Sequence, residues 1–298
     1  MIAVQNRKGY VVMLVKMMVS DMDGTLLNSE RKLSAINKAK IRQAVNNGLL
    51  FTVATGRMYR AALPYVEQLG LDDIPLITHN GAVIKTTGGK LLAKTCLEPE
   101  LVAQVIDFAE KLGFYVHVYT ENDFIYRKSC KESKWYEDAV HLKGIEAGDK
   151  FKEYNQGIAK ILIMDMSLVH VKEIMNQLKA KFGDSLHVQN SDPSHVEIAA
   201  PGVSKAAAML KVAAMYDIKQ EEIAAIGDSG NDVPMLKAAG IGIAVANASD
   251  EAKKAAAYQV GTNNENGVAQ AINRFLYLHN NQKSKLMGAL MLLQSLGL

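Results

Sequence analysis

A chain of 298 residues with 49% hydrophobic side chains can bury a sizeable core, and its length accommodates two modest domains. Its 34 basic and 31 acidic side chains are well mixed, leave a net charge of +3, and come with few aromatics for base stacking, which argues against nucleic acid as a partner. Cys96 and Cys130 show no metal-ligand spacing and read as reduced thiols of an intracellular protein, so no zinc site is expected.

Arg7 and Lys8, followed by the apolar run over 10–19, imitate a signal peptide. Lys16 interrupts that run and no small-residue cleavage site follows, so a cytoplasmic location is expected. Residues 11–19 are β-branched and Met-rich with little alternation, the pattern of a strand buried on both faces of a parallel sheet. The run stops at Ser20-Asp21-Met22-Asp23-Gly24-Thr25. While the chain stays extended, Asp21 and Asp23 leave on the same face. Two close carboxylates repel unless a cation lies between them, so the pair implies a hard divalent ion, Mg²⁺ first. Gly24 permits a sharp departure, and Thr25 can hydrogen-bond back across the bend. The competing reading is an acidic turn that merely ends a strand.

Ser34 opens a helix that Asn47-Gly48 closes. A strand over 49–54 then ends in Thr55-Gly56-Arg57, a helix runs to Leu69, and a strand over 75–78 ends in His79-Asn80-Gly81. This alternation predicts an open parallel α/β sheet. From about residue 85 the rhythm changes: a hairpin turn over 86–89, helices over 98–112 and 168–182, and strands over 114–119, 124–127, 158–164, 186–189 and 195–199. The block 85–196 reads as an inserted α+β cap, with the core assembled from 1–84 and 197–298. The first rhythm then resumes: a helix over 204–216, a strand over 223–226 ending in Gly227-Asp228-Ser229-Gly230-Asn231-Asp232, a helix over 235–239, a strand over 240–245, and helices over 250–257 and 268–277. The stretch 286–298 is apolar almost all round but shorter than the roughly 20 residues a bilayer requires. It is expected to pack on its own core or on a second subunit, so the chain reads as a monomer or homodimer without a membrane partner.

Each polar cluster lies just past a strand, on the edge where parallel sheets hold ligands. Asp228 and Asp232, four apart where a loop enters a helix, can face one spot. Lys205 offers a point positive charge, while Thr55 and the Gly56 amide offer phosphate donors. A metal, a cation and convergent amides suit a phosphoryl group. Taken singly, Lys205 reads equally as a solvated lysine, Thr55 as a helix cap and Asp232 as a helix-start acid.

In their order, Asp21-Met22-Asp23-Gly24-Thr25, Thr55-Gly56-Arg57, Lys205 and Gly227-Asp228-Ser229-Gly230-Asn231-Asp232 resemble the four motifs of the haloacid dehalogenase-like hydrolases. The place of the insert, and Val196-Glu197-Ile198 through Gly202-Val203-Ser204-Lys205, resemble the Cof-type branch with its type IIB cap. The resemblance implies an α/β fold, a Rossmann-like parallel-sheet core with an inserted α+β cap domain. Ser20, where members often carry Phe, Leu or Ile, departs from the pattern in a way that bears on packing.

The resemblance also implies roles. Asp21 attacks phosphorus to give an aspartyl-phosphate, and Asp23 protonates the departing alcohol and later takes a proton from water. Mg²⁺ is held by the Asp21 carboxylate, the Asp23 backbone carbonyl and Asp228. Lys205 neutralises charge, while Thr55, Gly56, the Met22 amide and Asn231 hold phosphoryl oxygens. Asp232 and Arg57 support these groups or touch substrate; apart from the resemblance, His79-Asn80-Gly81 lies on the same edge, where Asn80 reads as a contact to the leaving group or as part of an ordinary Asn-Gly turn. The expected substrate is a small phosphorylated metabolite, sugar phosphates first, with a cofactor phosphate such as pyridoxal phosphate or flavin mononucleotide as the alternative. An alternative of another class is a non-catalytic phosphate-binding regulator. His117, His141, His187 and His195 are expected to be solvated or hydrogen-bonded residues of the cap.

Overall fold

The computed structural model describes residues 4–5, 11–12, 15–190 and 192–275. The apolar stretch 286–298 and the end of the helix expected over 268–277 lie outside these residues. The strand expected over 11–19 is divided. β1 (Val4–Gln5) and β2 (Val11–Val12) pair with each other, and the core strand is β3 (Met17–Ser20), preceded by Lys16 on Glu222.

The chain continues through α1 (Ala35–Asn46), β4 (Leu50–Ala54), α2 (Tyr59–Val66), β5 (Pro75–Thr78), β6 (Val83–Thr86) and β7 (Leu91–Lys94). The insert follows: α3 (Pro99–Lys111), β8 (Tyr115–Tyr119), β9 (Phe124–Tyr126), α4 (Lys131–Val140), β10 (Ile145–Glu146), β11 (Lys160–Met164), α5 (Val171–Phe182), β12 (His187–Gln189) and β13 (His195–Ala199). The return is α6 (Lys205–Met215), β14 (Ile223–Gly227), α7 (Val233–Ala238), β15 (Ile241–Val245), α8 (Asp250–Ala255) and β16 (Tyr258–Val260), with residues 267–275 helical.

The core sheet has the order β16-β15-β14-β3-β4-β5-β6-β7, with parallel pairing throughout except for the β5–β6 and β6–β7 pairs. Its central strands β3, β14 and β15 are buried throughout, which requires cover on both faces. The cap sheet has the order β10-β9-β8-β11-β13-β12 and is antiparallel except for the β9–β10 pair. β7 lies in the core sheet although its residues fall after 85, and β13 lies in the cap sheet although it runs past 197. The chain changes sheets in the loops after β7 and β13, because the hairpin prolongs the core edge by two strands. α4 and β10 carried no clear pattern: α4 is rich in charge and buries only Ser133, Tyr136 and Glu137. Among the described residues no helix is long and apolar enough to cross a membrane.

The most consequential juxtaposition is β3 beside β14. Ser20 registers with Ile226, and the Asp21 amide donates to the Ile226 carbonyl at 2.9 Å. The loops after both strands therefore open side by side under the cap.

Among the cap histidines, His117 takes the hydrogen-bonded rather than the solvated state. His117 is fully buried, with ring centroids 4.7 Å from Tyr119, 5.2 Å from Phe124 and 4.6 Å from Tyr136, and its Nδ1 lies 3.1 Å from the Tyr115 hydroxyl. His79, on the core side, is also fully buried. Burial, reinforced by the Lys160 ammonium, holds both imidazoles well below their ordinary pKa, so both fold neutral. The unfolded chain protonates them below about pH 6.5. Stability is therefore intact above that pH and falls as the pH drops toward the depressed folded values, by up to about 1.4 kcal/mol per pH unit for each histidine. Urea midpoints measured between pH 7.5 and 5 should fall accordingly, and His117→Phe should remove one proton's share of that slope. An unchanged slope in the variant would refute the assignment.

Candidate active site

Four core segments meet at the carboxyl edge of β3 and β14. After Ser20 the chain turns, Met22 goes fully into the core, and Asp21 is 5% exposed. Gly24 sits at φ +81°, and a Cβ there would lie 2.8 Å from Asp228 Oδ2, so this position needs glycine for both conformation and space. Thr25 Oγ1 donates to Asp228 Oδ1 at 2.6 Å. That bond crosses to a distant loop rather than back over its own bend.

Ser204 caps α6 by accepting from the Ala207 amide, which places Lys205 at the first helical position. Its side chain is 1% exposed, and its Nζ donates to Asp21 Oδ1 at 2.5 Å and Asp232 Oδ1 at 2.7 Å. Burial works against the Lys205 charge, but the carboxylates of Asp21 and Asp232 outweigh it and hold the proton tightly. Burial pushes Asp21 up; Lys205 opposes this, while Asp232 and Asp228 reinforce it. Asp228 is likewise raised by burial, against its bond from Thr25.

The carboxylates of Asp21, Asp228 and Asp232 bring ligand atoms within 4.8 Å of one another. Asp232 is committed elsewhere: Oδ1 takes Lys205, and Oδ2 accepts from the amides of Asp228 at 3.0 Å and Ser229 at 3.1 Å. It organises the loop. Asp21 Oδ2, in contrast, is buried without a hydrogen-bond partner, an expensive state for a carboxylate oxygen. Asp21 and Asp228 thus form an oxygen donor set that fits a hard divalent cation.

A cavity of about 590 Å³ lies over this edge, lined from the core by Asp21, Asp23, Thr55, Gly56, Arg57 and Asn231 among others. Asp21 and Asp23 line the same cavity, but the two side chains are held differently. The Asp23 carboxylate is 45% exposed and gripped by Arg57, with Nε on Oδ2 at 2.7 Å and Nη2 on Oδ1 at 2.5 Å. The turn at Met22 breaks the two-residue alternation. Thr55 Oγ1 accepts from the Arg57 amide at 3.1 Å, and its own amide is taken by Ile77. Asn231 accepts from Ser229 Oγ and donates to Asn80 Oδ1 at 3.3 Å. Asn80 stands one step back from the cavity and donates to Glu197 Oε2 at 2.7 Å.

Sequence reasoning missed the cap's share of the wall: Tyr119, Trp135, Tyr136, Lys160, His195 and Glu197 all line the cavity. Two of them carried a signal, since Lys160 and Glu197 are charges set in otherwise apolar strands.

A parallel α/β core that presents a buried aspartate–lysine–aspartate cluster beneath a cap is built for phosphoryl transfer. A family model described as haloacid dehalogenase-like hydrolase matches residues 18–272, and the chain belongs to that family, in its Cof-type phosphatase branch. The 5-amino-6-(5-phospho-D-ribitylamino)uracil phosphatase YwtE of Bacillus subtilis (strain 168) is 31% identical over 288 residues, covering 88% of this chain and 98% of that protein. A haloacid dehalogenase-like hydrolase from Bacteroides thetaiotaomicron superposes with a TM-score of 0.79 at 27% identity, covering 87% of this chain and 99% of the other. The HAD subclass IIB sugar phosphatase BT4131 gives 0.77 at 25% identity, covering 88% and 99%.

A divalent cation that binds only the folded state should raise the melting temperature. With Mg²⁺ as the probe at a hundred times its Kd, the gain is about 2.7 kcal/mol. Asp228→Asn should abolish most of that shift in a thermal melt; an undiminished shift would place the cation elsewhere.

Proposed function

We propose that the chain is a Mg²⁺-dependent phosphomonoesterase that works through an aspartyl-phosphate on Asp21 and acts on small phosphorylated metabolites, sugar phosphates first. The observation that carries this is the division of labour on Asp21. One oxygen is pinned by Lys205 at 2.5 Å, while the other is buried without a protein partner. In this reading one Asp21 oxygen attacks phosphorus, the phosphorus–oxygen ester bond breaks, and Asp23 delivers a proton to the departing alkoxide. Arg57 must release or share Asp23 for that step, since it occupies both carboxylate oxygens. Asp23 then takes a proton from the water that hydrolyses the acyl phosphate and frees Asp21. Lys205 offsets charge on the phosphoryl group and on Asp21. The Met22 and Gly56 amides, the Thr55 hydroxyl and Asn231 hold phosphoryl oxygens. Magnesium, held by Asp21, the Asp23 carbonyl and Asp228, would supply electrostatic neutralisation and a template.

A second substrate reading is favoured by the cap wall. Trp135 is 42% exposed, with its ring centroid 6.1 Å from that of His195, and both line the cavity with Tyr136. Such a wall can stack a planar ring, and the substrate named for YwtE joins a phosphorylated polyol to a uracil. Flavin mononucleotide and pyridoxal phosphate share with it a planar ring and a phosphate ester. The subclass IIB name of BT4131 supports the sugar phosphate instead.

A panel of phosphorylated sugars, ribitylaminouracil phosphate, pyridoxal phosphate and flavin mononucleotide, compared by kcat/KM, separates these readings. Trp135→Ala should cost a stacked ring about 1–3 kcal/mol and leave a sugar phosphate nearly unaffected. Asp21→Asn should reduce turnover by roughly four orders of magnitude or more while the fold persists. Asp23→Asn should slow alkyl esters by about 10²–10⁴-fold and p-nitrophenyl phosphate much less. Equal losses on both esters would remove Asp23 as the acid of the first step.

A further inference from the structure

We propose that Lys160 and Glu197, which reach the core from neighbouring cap strands β11 and β13, are positioning residues that hold Gly56 and Asn231 in phosphate-binding register when the cap is docked. The proposal rests on the reading that these two core groups hold phosphoryl oxygens.

Lys160 and Glu197 form an ion pair at 2.5 Å, with side chains only 3% and 4% exposed. A buried pair seldom repays its desolvation, and apolar residues of similar volume would serve the fold at least as well. The pair reaches out of the cap in two directions. Lys160 Nζ donates to the Gly56 carbonyl at 2.8 Å, which holds the Gly56–Arg57 peptide, and the Arg57 amide of that peptide donates to Thr55 Oγ1 at 3.1 Å. Glu197 Oε2 accepts from Asn80 Nδ2 at 2.7 Å, and Asn80 Oδ1 in turn accepts from Asn231 Nδ2 at 3.3 Å. One hydrogen-bonded path therefore joins the cap sheet to the second and fourth polar loops of the core.

The relay is set rigidly. His79, Asn80 and Gly81 have φ of +52°, +54° and +107°, successive residues in the left-handed region that persist only where their surroundings demand it. A Cβ on Gly81 would come 2.3 Å from the carbonyl of Ser204, the residue that caps α6 ahead of Lys205. A Cβ on Gly56 would lie 3.0 Å from Asn80 Oδ1, so Asn80 and Lys160 flank the same glycine. Glycine is the backbone least able to hold its own orientation, and here contacts from outside the loop supply it.

The test uses the full chain with Mg²⁺, inorganic phosphate as a competitive inhibitor, and two esters with unlike leaving groups, p-nitrophenyl phosphate and a sugar phosphate. In Lys160→Met and in Glu197→Gln the inhibition constant for phosphate should rise about ten- to a hundredfold, and kcat/KM should fall by a common factor for both esters. Should Lys160→Met fail to fold, Glu197→Gln, which keeps the shape and loses the charge, carries the measurement. An unchanged phosphate inhibition constant, or a loss confined to one ester, would make these residues leaving-group contacts and overturn the proposal. A wild-type enzyme that turns over esters but is not inhibited by phosphate would remove the cradle reading beneath it.

Discussion

The buried ammonium of Lys205 between Asp21 and Asp232 is the contact on which the rest of the site depends. It joins three loops whose residues lie 184 and 27 positions apart in the chain, and it does so where water is excluded. Two carboxylates around one ammonium, with Asp228 beside them, leave an excess of negative charge at the sheet edge. Burial makes that excess costly, and a divalent cation would relieve it. The second oxygen of Asp21 lies buried in the same place without a protein donor.

Around this cluster, polar groups are secured by bonds that cross between loops. Thr25 reaches Asp228, Asn247 reaches the Gly24 carbonyl, and the Ser249 amide reaches the Asp228 carbonyl. Asp232 turns both of its oxygens to scaffolding, although sequence spacing alone would let it face the same spot as Asp228. Backbone placed by sheet registry, with side chains locked by neighbouring loops, holds geometry more tightly than any single loop could.

The parts of the fold that were legible in the sequence are those where one local rule governs. Strands β3, β4, β5, β14 and β15 are buried on both faces, so each reads as an apolar run that stops at a polar loop, and parallel topology then places those loops on one edge. Where two rules compete, reading along the chain fails. The alternation used to set Asp21 and Asp23 side by side ends at the Met22 turn; both still line the cavity, and the grip of Arg57 on Asp23 is what spacing does not encode. α4 carries too many charges to show an apolar stripe, and β7 is a short, partly exposed edge strand. Lys160 and Glu197 stand out as charges within apolar strands, but their targets lie in another sheet, and no local pattern encodes that distance.

The place of β14 beside β3 has a consequence for how the molecule assembles. Met17 pairs with Ile223, so the strand that ends at Asp21 is synthesised long before the neighbour that completes it, with the whole cap made in between. During that interval one edge of an intensely apolar strand has no native partner, a condition that slows folding and invites adventitious strand pairing. The cap's own antiparallel sheet, made almost entirely from nearby segments, can form in the meantime. Final closure of the central sheet therefore coincides with the arrival of the loop that carries Asp228, and the edge that gathers Asp21 and Asp228 comes into being only when the last strands dock.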